Sequence, residues 1–350
     1  MERSIIKFGE AGTGNASEIG SKNAALEDLY AIPATKGLHV PDGFAVTVAV
    51  FTKFMQHNGL QESLRQLMER LERKDFSNLN ETGTAARRLI MEAKFPRIQE
   101  QEITDAYAAL LPLKNGDVAV RSSPFATGFS NLFPEGLHES YLNIRGPLAL
   151  IYAIKCCYAS LYSNKAIKFR ETHGIAHDAV YLAIGIQRMV RAGTGCSGIC
   201  NTPHSGSGFP DGVRITANWG LGQNTLPETW DEYIIRRPLQ NMAGNIQKST
   251  GSKSRMTVYK DVSAGTNSTL TIITLPELRV KTVLDDAEIF ELARLALLLE
   301  VHYGRPVGFE WAKDGDDDLF YITGLCPEDP RSYRHTEVMH PKPQKGYDVA

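Results

Sequence analysis

The chain of 350 residues has no uninterrupted apolar run of the roughly 18 to 20 residues that a membrane-spanning helix needs. Its opening, MERSIIKFGEAGTG, puts no apolar stretch behind its charges. A soluble, cytoplasmic protein with no membrane partner is expected. Charge of one sign is also missing: 38 Lys and Arg face 40 Asp and Glu, for a formal net charge of -2, and no basic run breaks that balance, so no nucleic-acid partner is expected. Cysteines number only five, and an odd count is a poor basis for a disulfide framework. Cys156 and Cys157 are adjacent in an apolar helical pattern, while Cys196 and Cys200 share GCSGIC and face the same side if it is extended. Structural zinc takes four Cys or His ligands and only His204 lies near that pair, so reduced, buried thiols are expected. Internal repeats and low-complexity tracts are absent.

What is present is ample apolar material: 42% hydrophobic residues against 22% charged. A chain of this size buries a sizeable core and favours two lobes over one compact layer. Gly9, Gly12 and Gly14 punctuate a first loop, residues 23–30 read as a helix, and VPDGFAVT predicts a turn and then a strand over 44–47, with Thr47 capping a helix toward Asn58. Leucines at three- and four-residue spacing make 61–111 mainly helical. Strands are expected at DVAVRSS (117–123) and ESYLNI (139–144), a helix over 147–171, and a strand over 182–190. From Arg191 the chain turns to Gly/Ser-rich strands and turns, which puts a lobe boundary near Gly193. Acidic residues open, and Gly304 closes, an amphipathic helix over 285–303. A hairpin then reverses through an acidic turn holding Asp314, Asp316, Asp317 and Asp318.

Few residues stand out chemically. Gly20-Ser21-Lys22-Asn23 lies at a loop-to-helix junction, where backbone N–H groups and the positive helix end favour a phosphate and Lys22 adds a mobile charge. A solvated lysine is the alternative. Arg121 ends the apolar run DVAV, a position that demands an anion, either a ligand or a carboxylate of the protein. The acidic turn with Glu328 reads as a solvated turn or as a compensating metal site. Glu139, beside His138, and His204 are further polar candidates, each equally readable as a surface residue.

GSKNAALEDL (20–29), VAVRSS (118–123), ASLYSNKAIKFRETHG (159–174), IQRMVRA (186–192), NWGLG (218–222), HYGRP (302–306) and FEWAKDG (309–315) stand in the order found in one family over about residues 5–330. The chain resembles the amino-terminal ATP-grasp module of the phosphoenolpyruvate synthase and pyruvate phosphate dikinase family. That resemblance implies an α/β fold of two ATP-grasp lobes, here 1–190 and 191–330; the polar, Pro-containing residues 331–350 read as a tail. The resemblance also implies that Lys22 and Arg121 contact the phosphates of ATP and serve catalysis, that Gln187, Met189 and Val190 lie at the adenine, and that Glu310 is a magnesium ligand. An alternating strand at a lobe boundary is a natural place to pair with a base edge, and a carboxylate at 310 would bridge the metal to the phosphates.

Departures from the family pattern are as informative. Gly308 stands where the family carries Asp, Gly324 where it carries Gln, and Cys326 where it carries Arg. The loop over the phosphates is rewritten as PFATGFSNLFPEGLH, and WGLG runs on into Gln223. The family's phosphohistidine domain and its pyruvate-binding barrel have no counterpart after Pro330, so this chain alone is not expected to complete phosphoenolpyruvate synthesis. The expectation is an ATP-binding phosphotransferase with a weakened magnesium site, passing phosphoryl to a partner histidine or a small acceptor. The alternatives are an impaired nucleotide-binding subunit with a regulatory or scaffolding role, and a small-molecule kinase or ligase that uses the rewritten loop.

Overall fold

The computed structural model describes residues 2–10, 15–32, 36–110, 117–126, 137, 139–202, 212–222, 229–236, 246–260 and 269–326. Two antiparallel sheets organise it. The first takes strands β1 (Ile5–Lys7), β2 (Gly43–Val46), β3 (Asp117–Ala126), β4 (Ser140–Arg145) and β5 (Val180–Arg188) in the order β1-β2-β5-β3-β4. The second takes β6 (Cys196–Asn201), β7 (Gly212–Trp219), β8 (Asp231–Arg236), β9 (Ile246–Ser249), β12 (Gly308–Lys313) and β13 (Phe320–Cys326) in the order β13-β12-β6-β7-β8-β9. A separate ribbon pairs β10 (Arg255–Tyr259) with β11 (Thr269–Ile273).

Alternation along the strands decides which face is dry. Val118 and Val120 of β3, with Leu182, Ile184 and Ile186 of β5, enter the first core. There they meet helices α2 (Val48–His57), α3 (Leu60–Glu69), α4 (Leu79–Glu92), α5 (Arg97–Leu110), α6 (Pro147–Ser160) and α7 (Asn164–Thr172). The other face of the same strands carries Ala119, Arg121 and Ser123 opposite Gln187, Gly185 and Ala183. Helix α1 (Ala16–Tyr30) covers part of that face. In the second lobe Phe309 and Trp311 of β12 enter a core shared with α9 (Asp286–Tyr303), leaving Glu310 and Ala312 on the opposite side. Leu26 and Leu29 of α1 join this second core, so α1 is packed between the lobes. A short helix, α8 (Pro276–Val280), precedes α9.

Several local expectations are met. Asp285 caps α9 in a full capping box with Glu288, and Gly304 closes the helix at φ 63°. Others are revised. The helix expected over 147–171 is two helices, because Ser163 takes an extended conformation and its side chain caps α7 by accepting from the Ala166 N–H at 3.2 Å. Thr47 precedes α2 without a side-chain cap, since its Oγ1 donates to the Arg3 carbonyl at 2.7 Å instead. The first helix begins at Ala16 rather than Asn23, capped by Asn15, and breaks internally at Gly20.

Candidate functional site

Three separated motifs meet at that break. Gly20 sits at φ 76° and ψ 161°, a region open essentially to glycine alone, and any Cβ there would stand 2.1 Å from the Ser123 carbonyl oxygen. One turn later the Asn23 N–H donates to Ser123 Oγ at 3.1 Å, while Ser21 Oγ donates to the Pro124 carbonyl at 3.3 Å. Asn23 in turn presses on β5, where a Cβ at Gly185 would lie 2.3 Å from its Oδ1. Close approach at Gly20 and Gly185 therefore clamps GSKN onto VAVRSS and the β5 strand, and orients the neighbouring Lys22. That lysine is exposed and has no hydrogen bond or ion pair to another described residue.

Arg121 reaches from β3 across the gap between lobes. Its Nη1 donates to Glu310 Oε2 at 2.8 Å and to the Thr323 carbonyl at 3.1 Å. A bulge supplies that carbonyl: Glu310 pairs with Gly324 and Trp311 with Ile322, so Thr323 is the extra residue on β13. Burial alone would push the Glu310 carboxyl up. The Arg121 guanidinium, and after it Lys22, outweigh this and hold it below the ordinary carboxylate value. The two candidate phosphate contacts and the candidate metal ligand thus form one electrostatic cluster. Two buried donors near it, Arg121 Nε and Gln187 Nε2, have no partner among the described residues, and unpaired buried donors commonly mark a place where a ligand or water belongs.

Past β5 the chain crosses between lobes through Met189 and Val190, which pack with Ala119, Ala192, Leu221 and Ala312 in a small apolar seam bordered by Leu142, Tyr259 and Tyr321. Leu221, in the NWGLG turn, is held there by its N–H bond to the Thr257 carbonyl at 2.8 Å. The backbone of 188–190 is partly committed. Arg188 N–H donates to the Asp42 carbonyl at 2.7 Å, Met189 N–H to the Asp117 carbonyl at 3.0 Å, and the Val190 carbonyl accepts from the Tyr259 hydroxyl. Among the described residues no hydrogen bond uses the Val190 N–H or the Met189 carbonyl. A cavity of about 350 Å³ borders Arg188, Met189 and Val190, with Tyr30, His39 and Tyr321 on its other walls; Lys22, Arg121 and Glu310 are not among its lining residues.

The acidic turn has a role the sequence did not suggest. Asp316, Asp317 and Asp318 are exposed, but Asp314 is buried and accepts from the backbone N–H of Arg191 at 2.9 Å and of Asp316 at 2.8 Å. Arg191 also donates to Asp117 at 2.7 Å and lies 3.9 Å over the Tyr259 ring. Asp314 is thus a structural anchor for the crossover rather than a solvated turn residue. Its signal was the dense Asx-turn composition AKDGDDD; its partner, 123 residues away, had none. Cys196 and Cys200 are both buried, with burial pushing the Cys196 thiol up to about 12 and the Cys200 thiol well above its usual range. Glu139 is exposed and accepts from the Tyr141 hydroxyl at 2.6 Å. His138, His204, Gln223, Glu328, residues 127–136 of the rewritten loop and the tail 331–350 lie outside the described residues.

A donor set for magnesium can be judged from these positions. Among the described residues no group of three or more His, Cys, Asp or Glu side chains converges, so these residues form no all-protein cage. Magnesium does not require one, since it commonly takes one or two carboxylates plus phosphate oxygens. Glu310 fits that role. At Gly324 an added Cβ would lie 3.2 Å from Glu310 Oε2 and 3.4 Å from Arg121 Nη1, so a polar side chain at 324 would be adjacent to both.

Residues 16–345 match the family described as pyruvate phosphate dikinase, AMP/ATP-binding domain. The chain belongs to this family. Its fold is accordingly the two-lobed α/β ATP-grasp, and adenine nucleotide is the ligand class that the family description carries. The chain is similar to the phosphoenolpyruvate synthase of Pseudomonas aeruginosa, with 36% identity over 97% of this chain and 44% of the relative. It is similar to that of Synechocystis, with 34% identity over 96% and 43%, and to that of Escherichia coli, with 32% identity over 94% and 42%. It spans less than half the length of these curated relatives. No helix among the described residues is long and apolar enough to cross a membrane.

Proposed function

We propose that this protein is an ATP-dependent phosphotransferase module that binds the nucleotide in the seam between its lobes. The observation that carries the proposal is the convergence of Lys22, Arg121 and Glu310 from three elements of two lobes, with orphaned donors at Arg121 Nε and Gln187 Nε2 beside them. Lys22 and Arg121 neutralise the phosphates. Met189 and Val190 present apolar contact, with one N–H and one carbonyl, to the adenine edge. Glu310, with phosphate oxygens, holds magnesium, whose charge offsets that building up on the transferring group. Phosphoryl transfer asks a protein chiefly for positioning and charge neutralisation, and these side chains supply both. The acceptor is a histidine on a partner domain, as in the architecture suggested by the phosphoenolpyruvate synthase relatives, or a small molecule.

A second reading, a catalytically impaired nucleotide-binding subunit with a regulatory or scaffolding role, draws on Gly308 and Gly324 and on the mutual satisfaction of Arg121 and Glu310. One experiment separates the two. The purified chain is incubated with magnesium and β- or γ-labelled ATP, with and without a histidine-bearing partner domain, and AMP, ADP and transferred label are followed. Label transfer supports the first reading; binding without ATP consumption supports the second. Lys22→Ala and Arg121→Ala should each weaken ATP binding by about 1.5–3 kcal/mol, the range for hydrogen bonds to charged groups. Parent-like affinity in both would remove them from the site.

A further inference from the structure

Away from the seam, behind the first core, lies a second cavity of about 440 Å³ between α2, α3 and the chain from Arg170 to Tyr181. It falls in the size range of small-molecule pockets. Arg170 lines it and is 1% exposed. Its Nε donates to His177 Nδ1 at 2.8 Å and its guanidinium lies 5.4 Å from the Tyr162 ring centroid, yet Nη1 and Nη2 have no partner among the described residues. The neighbouring carboxylate is engaged elsewhere: Glu171 accepts from His177 Nε2 at 2.9 Å and from Arg73 Nε at 2.9 Å. Of the other charged residues in the wall, Arg65 and Glu69 pair with each other, and Asp178 is exposed to solvent. Burial and then Arg170 itself push His177 down, leaving it neutral near pH 7. Arg170, pushed down by burial only to about 10, stays charged. The cavity wall therefore sets two guanidiniums, buried Arg170 and half-exposed Arg73, against the one carboxylate of Glu171, with Arg170 Nη1 and Nη2 unused. Phe51, Met55, Leu64 and Met68 add an apolar stretch to the wall.

We propose that this cavity is a binding site, separate from the nucleotide site, for a small carboxylate with an apolar tail, whose two oxygens take Nη1 and Nη2 of buried Arg170 after a small shift of the side chains that cover them. A guanidinium fork matches a carboxylate in just this bidentate way, and the aliphatic and aromatic wall accepts a branched or short-chain tail. A carboxylate there satisfies both orphaned nitrogens and balances the excess charge.

The test is calorimetry on the full chain with 4-methylpentanoate, its uncharged amide as control, and a repeat at saturating ATP. The acid should bind one to one, the amide about tenfold more weakly or worse, and ATP should not displace the acid. Arg170→Gln should abolish binding. Because that variant removes a buried charge and can unfold, Thr52→Trp, which fills the cavity from α2 and keeps Arg170 in the chain, should also abolish binding while circular dichroism and ATP binding stay as in the parent. Equal binding of acid and amide, no saturable binding of either, undiminished binding in Thr52→Trp, or displacement by ATP would each overturn the proposal. The first two would mean that the orphaned nitrogens are served by buried water alone.

Discussion

Arg121 and Glu310 are each other's counter-ion, at 2.8 Å, with 27% and 41% of their side-chain surfaces exposed. Because the folded Glu310 carboxyl titrates below its ordinary value of 4.5, the native state releases that proton more readily than the unfolded chain. The pair's stabilisation is therefore complete above the ordinary value and is lost as pH falls through the depressed one; partial exposure keeps it small. Glu310→Gln should flatten this part of the acid limb when urea midpoints are compared between pH 7 and 3, and a curve with the parent's slope would contradict the assignment. The same variant should abolish phosphoryl transfer. Gly308→Asp with Gly324→Gln should raise ATP turnover if the metal site is only weakened. A side chain at 324 forces Glu310 or Arg121 to move by a few tenths of an ångström, loosening the pair that competes with the ligand. Turnover at background in a folded double variant would move the weight to the non-catalytic reading.

Between elements, the decisive contact is α1 on β3. Gly20→Ala places a Cβ against the Ser123 carbonyl and holds alanine in a glycine-only conformation, which costs about 1–3 kcal/mol in strain alone. It should lower the thermal midpoint and also weaken ATP binding, since Lys22 moves with the helix. A fall in stability with unchanged affinity would separate Lys22 from the phosphates. Much at this scale was legible in the sequence. The strand DVAVRSS stands where it was expected, Arg121 at its apolar run was singled out as demanding an anion, and the signals of α9 were all local. What was hidden depended on distant partners. Ser163 looked like one more helical residue until its side chain turned back as a cap, and Thr47 had a cap's sequence but a tertiary acceptor. Asp231 and Lys253, both fully buried and paired at 2.5 Å, carry no motif at all; their significance exists only once β8 and residues 251–253 are folded together. Gly20 was legible as a junction, but the break inside a helix needed Ser123 to explain it.

At the scale of the whole molecule, the lobes are joined by more than the crossover chain. Buried Asp117 accepts from Arg145 at 2.6 and 3.1 Å and from Arg191 at 2.7 Å, tying β3 and β4 to the crossover, while Asp314 ties the same crossover to the β12–β13 hairpin. A backbone bond from Ile322 N–H to the His39 carbonyl at 2.8 Å adds a third link. Asp117→Ala should destabilise the protein by about 3 kcal/mol, the low end for breaking a buried pair because both arginines keep some access to water. It should also speed amide exchange at 189–195. Protection there equal to the parent's would mean that Asp314 alone sets the crossover.

The Arg121–Glu310 contact has a thermodynamic corollary. With the phosphate and metal roles proposed above, a triphosphate that takes Arg121 would strip Glu310 of its counter-charge and place it beside further anionic oxygens, so nucleotide alone would meet a penalty that a divalent cation would remove. ATP and magnesium should then show positive heterotropic coupling, each raising the other's affinity by the same factor. In Glu310→Gln that factor should shrink toward one while metal-free ATP binds at least as tightly as in the parent, a pattern that titrations across a magnesium series would display directly.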